Sequence, residues 1–102
     1  IRAPALLVTG SRDCVTPTAQ HAGPMFAALA TPPAHRLLFD IAGGSHCQFS
    51  DGWFTCTLGE SACGGAASIP AADQHAQVLA ELLPMLVERL RVDALFLDDF
   101  GN

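Results

Sequence analysis

Two short apolar runs, each stopped by glycine, constrain this chain more than anything else in it. Ala5-Leu6-Leu7-Val8-Thr9 runs into Gly10, and Arg36-Leu37-Leu38-Phe39-Asp40-Ile41 is closed by Gly43-Gly44. The first run does not alternate polar and apolar residues, which is the pattern of a strand buried on both faces of a parallel sheet. The second reads as its partner strand. Between them, Thr16-Pro17 reads as an N-cap with proline in the first helical position, followed by Ala22, Met25, Phe26 and Leu29 at helical spacing. Pro24 should kink that helix or shorten it at its start, and Thr31-Pro32-Pro33 ends it. Strand, helix, strand predicts a parallel pair with a right-handed crossover, so that both strands end at the same edge. That is the edge at which open α/β sheets bind ligands.

From Gln48 to about Ile69 no periodicity is visible, and structureless loops beyond about 15 residues are usually functional or stapled. From Pro70 a helical stripe begins, with Ala76, Leu79, Leu82, Leu83, Leu86, Val87 and Leu90 on one face. Pro84 lies inside it and should bend the helix. The expected fold class is therefore α/β: two parallel strands, a crossover helix and a C-terminal helix over residues 1–91, then a terminal tail over 92–102. Its 102 residues allow one small domain. Half of them are hydrophobic, which excludes a disordered chain. Ten acidic residues against five basic ones, with no basic cluster, exclude a nucleic-acid partner. No apolar stretch approaches the roughly 18 residues of a membrane span, and no signal peptide opens the chain. The first residue is Ile1 and a strand-like run starts almost at once, so the chain is expected to be cut from something longer that would carry any targeting segment.

Asp13 lies just beyond the first strand and His46 just beyond the second. Adjacent strands are about 4.8 Å apart, so a carboxylate on one exit loop can reach an imidazole on the next. Such a carboxylate fixes the histidine tautomer and stabilises the imidazolium that forms when the ring takes a proton from a hydroxyl. The plainer alternative makes Asp13 a turn residue and His46 a polar loop residue.

The run Pro4 to Pro17, with Gly10-Ser11-Arg12-Asp13 at its centre, resembles the segment of α/β-hydrolases that holds the triad acid after strand seven. Gly43-Gly44-Ser45-His46-Cys47-Gln48-Phe49 resembles the turn after strand eight that holds the triad histidine, and Leu83-Pro84-Met85-Leu86 is similar to part of the last helix. The likeness spans about residues 2 to 91 and is closest to esterase and dienelactone-hydrolase-like branches. It implies a serine hydrolase acting on a small-molecule ester without a cofactor, with Asp13 as acid and His46 as base. The family's nucleophile sits on a G-x-S-x-G elbow before the acid, and no such elbow precedes Asp13. Gly59-Glu60-Ser61-Ala62-Cys63 imitates only its first half, after the histidine. The nucleophile is thus expected in a missing N-terminal part of the same hydrolase domain. The alternative is a non-catalytic binding or structural fragment of an α/β fold.

The spacing of Cys47, Cys56 and Cys63 matches no zinc pattern, and no metal site is expected. A disulfide that staples the long loop is favoured over four free thiols, with Cys56–Cys63 the first choice and Cys14–Cys47 a possible second. Bridges would favour a secreted or periplasmic parent. Phe49, Trp53 and Phe54 either line an apolar substrate pocket or anchor the loop to the body. His21, His35 and His75 read as surface residues. Thr9-Gly10 also resembles the start of a nicotinamide-binding turn, but Cys14 and Thr16 stand where that turn needs glycine.

Overall fold

The computed structural model describes the backbone of residues 3–101 and the side chains of residues 3–88. Strand β1 (Ala5–Gly10) is followed by helix α1 (Ala22–Ala27), a short 3-10 turn (Pro33–His35), strand β2 (Arg36–Ile41), a second 3-10 turn (Cys47–Phe49) and helices α2 (Phe54–Ala62) and α3 (Ala71–Gly101). The strands pair in parallel, from Ala5 opposite Arg36 to Gly10 opposite Ile41, so both end at one edge. The described residues form a mixed α/β structure of two parallel strands and three helices.

Helix α1 is shorter than the apolar spacing suggests. Thr16 does not cap it, because its hydroxyl is engaged by Asp13, and residues 17–21 form turns in which Gln20 and His21 donate to the Pro17 carbonyl. Pro24 then lies in the first turn of the helix, where the missing N–H has no intrahelical partner to lose. The C-terminal end of α1 is tied to β2 by Arg36, whose Nη1 donates to the carbonyls of Phe26 and Leu29 at 3.1 and 3.0 Å. Its guanidinium also lies 4.9 Å from the centre of the Phe26 ring.

The second departure is α2, which occupies the middle of the segment expected to be a structureless loop. No side chain caps its N-terminus, and its buried residue is Glu60 while Trp53, Phe54 and Leu58 around it are exposed. That inverts the apolar stripe by which a surface helix is recognised. Helix α3 continues through Pro84 and past residue 92, so the expected tail does not begin at an element boundary. Its stripe residues Leu79, Leu83, Leu86 and Val87 are exposed. Leu90 of the same stripe lies outside the described side chains.

All four cysteines are bridged, as Cys14–Cys63 and Cys47–Cys56, each with Cα atoms 5.9 Å apart. This corrects both expected pairs. Cys56 and Cys63 lie two turns apart along α2, roughly 10 Å at the helical rise, too far for a bridge. Cys14 and Cys47 each turn to α2 rather than to one another.

The exit edge is where burial concentrates. Ile41 and Cys47 are the fully buried apolar residues among those described, and Thr9, Ser45, Glu60 and Gln74 are buried close by in sequence or contact. Here the loops that leave the strands touch: Arg12 N–H donates to the Gly44 carbonyl at 2.9 Å and Ser11 N–H to the Ile41 carbonyl at 3.0 Å. A Cβ on Gly10 would sit 2.5 Å from the Gly44 oxygen, so only glycine permits this approach. Gly43 has φ of +80°, in the left-handed region that favours glycine.

Two outcomes follow. Gly10→Ala must push one exit loop off the other and should cost about 1–3 kcal/mol in denaturant unfolding; an unchanged midpoint would refute the contact. Mass spectrometry of non-reduced peptides should recover Cys14 linked to Cys63 and Cys47 linked to Cys56. Alkylation of all four thiols without reductant would rule out both bridges.

Candidate functional site

Asp13 enters the site because the chain turns at once after β1: its own N–H donates to the Gly10 carbonyl at 3.0 Å. One carboxylate oxygen, Oδ1, accepts from the N–H groups of Val15 and Thr16 at 2.9 and 2.7 Å. This is the turn-forming habit of aspartate, and it orients the carboxylate. The other oxygen, Oδ2, is 2.9 Å from Nδ1 of His46. Asp13 thus shapes its own turn with one oxygen and meets His46 with the other.

Thr16 closes a triangle. Its hydroxyl donates to Asp13 Oδ2 at 2.8 Å, and its Oγ1 lies 3.0 Å from His46 Nδ1. With the Thr16 hydrogen committed to the carboxylate, Nδ1 must carry the ring hydrogen and share it between Asp13 and Thr16. In the neutral ring, Nε2 then keeps the lone pair. The Asp13 side chain is 6% exposed and that of His46 36%, so the acid is enclosed and the ring reaches solvent. Burial pushes the Asp13 carboxyl up, but the Thr16 N–H, the His46 ring and the Thr16 hydroxyl outweigh it and hold the group below its ordinary 3.8.

The pair opens on a hollow of about 560 Å³, lined by Val8, Thr9, Met25 and Phe49 as well as Asp13, Thr16 and His46. Of the three aromatics expected to line a pocket, Phe49 does. Trp53 and Phe54 do not: they stand at the start of α2, 73% and 77% exposed, outside the lining of the hollow. Ser61 is exposed on α2, within a helix and not at a strand-to-helix turn, and takes no part in the hollow. His21 does line it, whereas His75 is hydrogen-bonded through Nε2 to the Gln48 carbonyl. Among the described residues no group of three His, Cys, Asp or Glu is disposed to hold a metal ion.

Two residues that sequence reasoning passed over hold the histidine turn. Gln74 of α3 is fully buried; its Oε1 accepts from the Ser45 N–H at 3.0 Å and its Nε2 donates to the Ser45 carbonyl at 2.8 Å. Glu60 of α2 is 4% exposed, and its Oε2 accepts from the Cys47 N–H at 2.7 Å. The one sequence signal for Glu60 was its place between two half-cysteines. Gln74 gave none.

No family model, curated protein or solved structure matches this chain.

Because the Asp13 carboxyl is held down in the folded state, its contribution to stability is complete above the unfolded value of about 3.9 and is lost as pH falls through the lower folded value. The stability advantage of the native protein over Asp13→Asn should therefore shrink steadily below about pH 4. Urea unfolding at stepped pH measures it, and an advantage that grows toward acid would contradict the network.

Proposed function

We propose that Asp13 and His46 are the acid and base of a serine hydrolase that acts on small ester substrates. The carrying observation is the 2.9 Å contact between Asp13 Oδ2 and His46 Nδ1 at the common exit edge of two parallel strands. The resemblance of the two exit loops to those of α/β-hydrolases supports it. With Nδ1–H on the carboxylate, His46 Nε2 takes the proton of an attacking serine hydroxyl, and Asp13 stabilises the resulting imidazolium. The same nitrogen then gives the proton to the departing alkoxide as the ester bond breaks. Water repeats the cycle on the acyl group, which frees the acid and restores the serine.

The serine would be supplied by an N-terminal part of the same domain, in sequence outside these 102 residues. Two features favour such a neighbour: the apolar row Leu79, Leu83, Leu86 and Val87 lies open, and β1 has one strand neighbour in the described sheet. Val8, Met25 and Phe49 give the hollow an apolar wall suited to an acyl or alcohol group. The two bridges are compatible with an extracellular location, and no helix among the described residues is long and apolar enough to cross a membrane.

The test is hydrolysis of p-nitrophenyl esters by the full-length protein. His46→Ala should lower kcat by about 10⁴-fold or more, because triad members act as a unit. Asp13→Asn should cost about 10⁴-fold, since the ring then takes the wrong tautomer. The 102-residue chain by itself should show no turnover. Undiminished turnover in His46→Ala would overturn the assignment.

A further inference from the structure

The residues on either side of His46 are held by side chains that are expensive to bury. Ser45 is fully buried and lies past the end of β2, where the ladder no longer satisfies its backbone. Buried N–H and C=O groups require partners, and Gln74 supplies both from α3. Its Oε1 also accepts from Gln48 Nε2 at 2.8 Å, and Gln48 Nε2 in turn donates to the Ile69 carbonyl at 3.1 Å. On the other side, the Cys47 N–H opens a 3-10 turn and would lack an acceptor but for Glu60. A carboxylate is among the costliest groups to remove from water unless it is hydrogen-bonded.

The geometry of these contacts is specific. The Ser45 carbonyl belongs to the peptide that precedes the His46 Cα, and the Cys47 N–H to the peptide that follows it. Fixing both planes fixes φ and ψ of His46, found at −60° and −50°. With them it fixes the direction of the Cα–Cβ bond from which the ring is hung. The Cys47–Cys56 bridge adds a covalent tie from the same turn to α2.

We propose that Glu60 and Gln74 are positioning residues for His46: they clamp the two peptides that flank it and thereby hold Nδ1 on Asp13. Their effect on turnover rests on the hydrolase reading above; their effect on the ring does not. A misplacement of about 1 Å in a reacting group costs on the order of 100-fold in rate, so loss of either clamp acts on kcat more than on KM.

The experiment has two readouts in the full-length protein: the downfield Nδ1 proton of His46 by nuclear magnetic resonance, and p-nitrophenyl acetate hydrolysis. Gln74→Met and Glu60→Met should each broaden or abolish the Nδ1 resonance and lower kcat by about 10- to 100-fold with little change in KM. Glu60→Gln keeps an acceptor for the Cys47 N–H and should restore most of both losses. If a methionine variant does not fold, Gln74→Glu takes its place: it keeps the shape and an acceptor for the Ser45 N–H but sets a carboxylate oxygen against the Ser45 carbonyl where the donor stood, and it should weaken the same resonance. A resonance unchanged in the Glu60→Met and Gln74 variants overturns the proposal whatever the turnover. A wild-type protein without esterase activity, in which the resonance still responds to the variants, overturns the hydrolase reading and supports the clamp.

Discussion

Everything at the exit edge depends on how closely two stretches of backbone approach just beyond the strands. Gly10 has no Cβ, so the Gly44 carbonyl can come near enough to accept from Arg12. That contact extends the parallel ladder past its last paired residues, when the chains would otherwise diverge. Asp13 leaves from one side of the contact and His46 from the other. Main-chain bonds therefore bring the two exit loops together, and the side-chain bonds of Gln74 and Glu60 act on the histidine turn within that frame.

Onto this frame the chain adds polar support where an apolar core would be expected. Thr9, Ser45, Glu60 and Gln74 are buried alongside two buried apolar residues, Ile41 and Cys47, among those described. Apolar packing is non-directional and leaves rotations about backbone bonds weakly specified. Hydrogen bonds are directional, and those that Gln74 and Glu60 make with the Ser45 and Cys47 peptides fall on either side of His46. Among the described residues no buried side-chain nitrogen or oxygen lacks a partner, so the network is fully satisfied.

The strands were legible because their cause is local. An apolar run ended by glycine reads the same in the sequence as in the fold, and β2 falls on the residues the run predicts while β1 gains only Gly10. Asp13 and His46 were legible for the same reason, being the chemically capable residues just past those ends. Helix α2 was hidden because its buried side is a glutamate and its open side carries Trp53, Phe54 and Leu58, against the usual period. That concealment also misdirected the cysteine pairing, since a flexible loop would let Cys56 meet Cys63 and a helix does not. Gln74 could not be found from the sequence at all: a glutamine at the start of an amphipathic helix looks like a solvated one until the turn it binds is folded against it.

The two bridges are nested, and they differ in what closing each one costs. Cys47–Cys56 lies wholly inside the stretch enclosed by Cys14–Cys63, with a separation of 9 residues against 49. The inner ring can be closed by neighbouring chain alone, at a small loss of chain entropy. The outer ring spans the whole β1–β2 pairing and costs more chain entropy to close. The inner bridge thus ties the turn that carries His46 to α2, and the outer one ties the turn that carries Asp13 to the other end of the same helix.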